Sequence, residues 1–408
     1  MKDLSVAIRQ SRSVLDAFKE MVIAGKVSQV LAARTHPDDS SPDFAVYFAD
    51  SGSILYQLEA WITPLERLTS AGLQVVLIIK SASVAREIAQ KTSLPIFLTR
   101  SISAIESFVS LHQITGIFYV NNSQANFTAL RLTKPAHIHL NHGESEKSSM
   151  VSNQLKAYDF AFISGDAAED RIFSTLKRVR PSALVKIGRP QLDVTDPLPR
   201  IVSHIRRKTV LYAPTWEGDS VDMAYSSLCS LGLRMVREIL ADDRFTLVFR
   251  PHPKTGSWSQ ETARALKEIN TRIQRAAKDD PKAMHRIEVL EDPTLSILRS
   301  DVVVADISAM AMDAVGLGKR LLLLDSTKPS AGYSTHDRPT MKRAVQSLQF
   351  SFSASFPDCL AVIANNPVPE EQEEFRTYVF GDRSCGSGTT RFVDACKALK
   401  ANQEEIVS

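Results

Sequence analysis

Residues 300–325 read SDVVVADISAMAMDAVGLGKRLLLLD. Two short apolar runs, VVVA and RLLLLD, bracket a stretch whose apolar residues recur at helical spacing. The second run can lie beside the first and point the same way only if the helix crosses over between them, and that is the unit of a parallel sheet. Strands covered on both faces read as continuous apolar runs rather than alternating ones, and both of these do.

Working toward the N-terminus from this unit, the same pattern recurs. TVLYAPTW (209–216), RFTLVFRPHP (244–253) and HRIEVLED (285–292) read as strands, and MVREILADD (235–243) closes a helix between the first two. Further upstream, FAVYFAD (44–50), LQVVLIIK (73–80), LPIFLTR (94–100), TGIFYV (115–120), AHIHLNHG (136–143), YDFAFIS (158–164) and ALVKIG (183–188) form a second series. It is interleaved with helical stretches such as YQLEAWITPLERLTSAG (56–72), SASVAREIAQKT (81–92) and QLKAYD (154–159). Between the series lies GRPQLDVTDPLPR (188–200), rich in proline and charge and without a period, which reads as a linker. The expected fold is α/β, two Rossmann-like, doubly wound parallel-sheet domains facing a cleft, with domains at 1–195 and 196–380 and a helical tail at 381–408 that returns toward the first domain. In such sheets ligands sit beyond the carboxyl ends of the strands.

Composition narrows the function classes. The chain has 408 residues, 44% of them apolar and 23% charged, enough for a core in each half. A net charge of +3 is far from that of a nucleic-acid-binding protein, so no nucleic-acid partner is expected, while phosphate-rich partners remain suitable. The four cysteines, Cys229, Cys359, Cys385 and Cys396, are too widely spaced for a zinc module or a disulfide framework, which fits a reducing cytoplasm. The N-terminal MKDLSVAIRQSRSVLDAFKE has an amphipathic pattern rather than that of a signal peptide. Its Lys2, Arg9 and Arg12 offer a peripheral membrane contact, with packing on the protein's own core as the alternative. No apolar run approaches the length needed to span a bilayer.

The residues directly after strands carry the chemistry. His142 ends AHIHLN and is followed by Gly143, which permits close backbone approach, and by Lys147; a surface histidine in a loop is the plainer alternative. In RPHP (250–253), Pro251 and Pro253 stiffen the backbone that presents Arg250 and His252, with Lys254 adding charge. Arginine offers a planar fork for phosphate, and histidine can donate to phosphate or move a proton near neutral pH; a stiff turn with incidental basic residues is the alternative. In ADISAMAMD, Asp306 or Ser308 suits a helix N-cap, and the free N–H groups there suit an anion. Thr215 and Trp216 lie in the loop after another strand. The sequence has no G-x-G-x-x-G, no phosphate loop ending in G-K-[ST], no G-x-S-x-G elbow and no ligand set with metal spacing.

NHGESEK (141–147), YAPTW (212–216), RPHP (250–253) and ADISAMAMDAVGLGKRLLLL (305–324), in that order, resemble the CDP-glycerol glycerophosphotransferase family of teichoic-acid and capsule polymer synthesis. The resemblance is strongest over 140–325, with a weaker match in YVFGDRSCGSGTTRF (378–392). It implies the GT-B architecture and a reaction in which a CDP-linked polyol donor gives its polyol phosphate to a hydroxyl of a lipid-linked or polymeric saccharide acceptor, releasing CMP. It implies His142 as general base, His252 and Arg250 on the donor diphosphate, and Ser308 with the backbone at Ala309 as a phosphate cradle. Gly143, Lys147 and Thr215 would contact substrate, and Asp313 would orient the helix start or the polyol. It implies no cofactor and no metal; the expected location is the cytoplasm, with a peripheral position on the inner face of the cell membrane as an option. The chain departs from the family pattern at Asn141, where tryptophan is usual, at Glu144 and Glu146, two carboxylates expected to repel an anionic acceptor, and at Ile307 and Ala309. A GT-B glycosyltransferase using a nucleotide sugar and an inactive nucleotide-binding homologue are the other two functions weighed.

Overall fold

The structure, a computed structural model, describes residues 41–147, 150–194, 207–218, 224–289, 292–325, 339–349, 353–384 and 386–407. The amphipathic N-terminal stretch with Lys2, Arg9 and Arg12, the second half of the expected linker, and Cys385 lie outside the described residues.

The strands β1 (Phe44–Phe48), β2 (Val75–Ile79), β3 (Ile96–Leu98), β4 (Gly116–Tyr119), β5 (Ala136–His139), β6 (Phe160–Ile163) and β7 (Leu184–Lys186) form one parallel sheet in the order β3-β2-β1-β4-β5-β6-β7. The strands β8 (Lys208–Ala213), β9 (Phe245–Phe249), β10 (Arg286–Ile287), β11 (Val302–Ala305), β12 (Arg320–Asp325) and β13 (Gln346–Gln349) form a second parallel sheet in the order β10-β9-β8-β11-β12-β13. The GT-B architecture and parallel α/β class expected from the sequence are therefore present. The strand order reverses between β1 and β4 in the first sheet and between β8 and β11 in the second, and those two points are where ligand crevices form.

Burial explains the continuous apolar runs. Along β1 every residue is buried. Phe44, Val46 and Phe48 face a cluster that contains Leu58, Trp61 and Leu65 of the helix Tyr56–Ser70, while Ala45 and Tyr47 face Ile105 and Val109 of the helix Ile102–Leu111. Successive side chains point to opposite sides of the sheet, and helices cover both. β11 divides in the same way, Val302 and Val304 to one side and Val303 and Ala305 to the other.

Two features differ from the sequence expectation in detail. QLKAYD makes only a short 3-10 turn over Asn153–Ala157, and the edge strand β13 carries too few apolar residues to stand out. The first half of the expected linker is not free chain: Arg189, Leu192 and Asp193 are buried, Arg67 donates to the Pro190 carbonyl at 3.4 Å, and Asp193 accepts from the Thr389 N–H.

The helix Ser387–Val407 lies on the first sheet's helix Tyr56–Ser70. Its Phe392 is fully buried, with ring centroids 5.5 Å from Trp61, 5.8 Å from Phe118 and 6.2 Å from Phe162. Among the described residues, no helix is long and apolar enough to cross a membrane.

Candidate active site

The loop after β5 presents the first histidine. Asn141 adopts a left-handed backbone (φ 57), a conformation asparagine tolerates better than most residues. Its Oδ1 accepts the His142 N–H at 2.8 Å, and its carbonyl accepts the indole N–H of Trp61. The asparagine that departs from the family pattern thus supplies the turn that delivers His142.

A polar chain then fixes the imidazole. Asn121, just beyond β4, donates through Nδ2 to Asp50, just beyond β1, at 3.0 Å and to Gln57 Oε1 at 2.9 Å. With its oxygen so used, Gln57 turns its Nε2 toward His142 Nε2 at 3.5 Å. His142 Nε2 is then the acceptor, its lone pair facing the Gln57 amide, and the proton sits on Nδ1. Nδ1 is buried without a partner at hydrogen-bond geometry, although the Val120 backbone is close enough to favour the charged ring. Burial, then Arg189, overcome that and lower the His142 pKa to about 4, with Lys147 and Lys254 adding to the effect. Asp50, Gln57 and Asn121 escaped the sequence reading, though Asp50 and Asn121 stand at the strand-order reversal where such residues belong.

The two acidic residues of the loop, expected to repel an anionic acceptor, are each engaged within the protein. Glu144 is buried, pairs with Arg171 and accepts from Ser164 Oγ at 2.7 Å. Glu146 accepts the Met341 N–H at 3.1 Å, and burial raises its pKa. A carboxylate withdrawn from water needs partners, and both residues have them within the protein. Lys147 crosses to the second domain and donates to Thr215 Oγ1 at 2.9 Å. Burial lowers its pKa to about 8, against the attraction of Asp306.

The loop after β9 presents the second histidine. His252 Nδ1 accepts the Lys254 N–H at 3.1 Å, which leaves the ring proton on Nε2 as a donor. Burial, then the charges of Lys147, His142 and Lys254, lower its pKa to about 3. Trp216 stacks on it at 6.3 Å and 25°, and Lys254 Nζ lies 4.7 Å from the centre of the Trp216 ring. Tyr56 stands edge-on to both histidines, with centroids 5.6 Å from His252 and 6.0 Å from His142. Nothing in the sequence marks Tyr56, because its place depends on closure of the two domains. Arg250 is not gathered with this group: its Nη1 donates to Ser296 Oγ at 3.0 Å and lies 3.5 Å from Glu288, so its charge is already opposed.

The helix Ala309–Gly316 completes the site. Ser308, not Asp306, is its N-cap, accepting the Ala311 N–H at 3.3 Å. Asp306 instead accepts from the N–H groups of Thr215 at 2.8 Å and Ser227 at 3.2 Å, and burial raises its pKa to about 7. Gly143 rests on this helix start: a Cβ built on it would stand 2.8 Å from the Ala309 methyl. Asp313 accepts from Arg189 at 2.7 and 3.1 Å, and Arg189 also donates to the His142 carbonyl at 3.3 Å. Of the residues expected from the sequence, His142, Gly143, Lys147, Thr215, His252, Ser308, Ala309 and Asp313 are brought together, directly or through one neighbour. Among the described residues, no group of three or more His, Cys, Asp or Glu is placed to hold a metal ion.

Such a site holds two neutral imidazoles, one as acceptor and one as donor, beside two lysines and a helix N-terminus. It can take a proton from a hydroxyl and hold an anion. Residues 114–320 match the model of the family described as CDP-Glycerol:Poly(glycerophosphate) glycerophosphotransferase. No curated protein matches the chain. Among solved structures, a putative UDP-N-acetylglucosamine 2-epimerase from Listeria monocytogenes is similar with a TM-score of 0.54 at 12% identity, over 88% of this chain and 96% of that one. The S. aureus MnaA–UDP structure gives 0.53 at 13% identity, over 87% and 96%. A variant of the wall teichoic acid polymerase TagF gives 0.51 at 15% identity, over 98% and 99%. At these identities the likeness is one of fold.

Proposed function

Because the chain belongs to the CDP-glycerol:poly(glycerophosphate) glycerophosphotransferase family, we propose that it transfers a polyol phosphate, glycerol phosphate in the first instance, from a CDP-linked donor to an acceptor hydroxyl in surface-polymer synthesis. What carries this proposal is the placement of His142 and His252, from facing domains, against one tyrosine ring. The acceptor hydroxyl takes the place of the Gln57 amide at His142 Nε2. Its oxygen attacks the phosphorus of the polyol phosphate, its proton passes to that nitrogen, and the bond from this phosphorus to the bridging oxygen breaks. CMP leaves with the bridging oxygen and its electron pair.

Charge grows on the diphosphate as CMP departs, so donors already aimed at it do most of the catalytic work. His252 Nε2–H, Lys147, Lys254 and the N–H groups at the start of the helix Ala309–Gly316 are those donors. Ser308 shapes this cradle as its cap, and Thr215 holds Lys147 in place. Asp313 orients the loop of His142 through Arg189. A lipid-linked or polymeric acceptor would bring the protein to the cytoplasmic face of a membrane as a peripheral enzyme.

The test supplies purified protein with CDP-glycerol and a soluble glycerol phosphate oligomer and measures CMP. His142→Ala and His252→Ala should each lower kcat by about a hundredfold or more. Undiminished turnover in both variants, or release of UDP or GDP from nucleotide sugars in place of CMP, would sink the proposal.

A further inference from the structure

Glu217 is an acid set among the basic residues of the cleft, and among the described residues it forms no ion pair. Its carboxylate serves the backbone instead: Oε2 accepts the Gly256 N–H at 3.0 Å, and Oε1 accepts those of Trp258 at 2.9 Å and Ser259 at 3.0 Å. These N–H groups belong to the turn that leads into the helix Gln260–Asp279, of which Ser259 is the N-cap. The bonds tie together two loops that leave neighbouring strands, the one after β8 and the one after β9.

The two loops also meet at their other end. Trp216, next to Glu217 in sequence, stacks on His252, and Lys254 covers the Trp216 ring while its N–H is donated to His252 Nδ1. Contacts therefore close a ring from Glu217 through residues 256–259 and 252–254 to Trp216 and back. The far side is closely packed, since a Cβ built on Gly256 (φ +80) would stand 2.9 Å from the Ala263 Cα.

We propose that Glu217 is a positioning residue: its carboxylate sets the height of His252 over the donor diphosphate by locking the two loops together. The role rests on the transfer reaction proposed above. Three N–H donors need both carboxylate oxygens, so a glutamine, with one oxygen and an NH₂ group, cannot satisfy them. An aspartate keeps the charge but falls a methylene short.

The experiment compares Glu217→Gln and Glu217→Asp with the wild type in three measurements: kcat and donor KM from CMP release, thermal unfolding, and the ring resonances of His252 and His142 in protein labelled with ¹³C-histidine. Positioning predicts that both variants lose about tenfold or more in kcat with donor KM little changed. It also predicts that the His252 resonance moves while that of His142 does not. Wild-type kcat and an unmoved His252 resonance in Glu217→Asp would overturn it, leaving charge alone as the contribution. So would movement of both histidines with a matching fall in melting temperature, which marks general damage. If the wild type releases no CMP, the transfer reaction fails on its own terms, and the His252 resonance alone decides the positioning role.

Discussion

Arg189 and Asp313 are both buried and meet through two hydrogen bonds, of 2.7 and 3.1 Å. Arg189 lies just after β7 and Asp313 on a helix of the second sheet, so one ion pair joins the domains directly beneath the His142 loop. Removing one partner of such a pair leaves an unpaired buried charge and destabilises by about 3–5 kcal/mol. Asp313→Asn should lower the denaturant midpoint accordingly and reduce kcat, because Arg189 also holds the His142 carbonyl. Unfolding curves and CMP-release kinetics on the same preparation check both effects.

Gly143→Ala should be among the most damaging small substitutions. Its new methyl would meet the Ala309 methyl at 2.8 Å and push the catalytic loop off the helix start. Overpacking of this kind costs about 1–3 kcal/mol, and here it also opens the site. Removing the opposing methyl with Ala309→Gly in the same chain should restore most of the lost activity. A double-mutant cycle on kcat/KM measures that coupling.

The pH profile of kcat/KM should be a bell with unusual limbs. His142 must be neutral to accept a proton, and its pKa of about 4 places the acid limb well below that of an ordinary histidine. Lys147 must be charged to hold an anion, and its pKa of about 8 places the alkaline limb there. Lys147→Arg should carry the alkaline limb upward beyond the measured range, since arginine stays charged. Initial rates at low donor concentration from pH 3 to 10 test both limbs.

Asp306 should make stability fall as pH rises. Its folded pKa, about 7, lies above the ordinary carboxylate value of 3.8, so the folded state holds a proton that the unfolded chain has lost. That contribution is full below the unfolded pKa, declines by up to about 1.4 kcal/mol per pH unit above it, and is gone once pH has risen through 7. Asp306→Asn removes the titration, so the wild type should lose ground to the variant between pH 5 and pH 8. Urea midpoints across that range decide it.

The parallel sheets were legible because apolar runs such as FAVYF and VVVA are local signals, and so were the histidines, which follow strands directly. Residues that work through distant partners were not. Tyr56 and Gln57 open a helix and look like any amphipathic start until the fold sets Gln57 against His142 and Tyr56 against both histidines. Arg189 sits in a proline-rich stretch whose composition suggests free linker, and only its burial against Asp313 reveals otherwise. Glu144 and Glu146 show the converse: the sequence displays their charge, whereas the fold hides it behind Arg171 and the Met341 N–H.

The burial of Phe392 against Trp61, Phe118 and Phe162 couples the first sheet's core to a segment that follows the second sheet in the chain. Domains usually fold as units while the chain is still being synthesised, the N-terminal one first. Here the first sheet's core lacks one of its own aromatic rings until the whole second sheet has left the ribosome. Until then Trp61 and Phe118 stand incompletely covered.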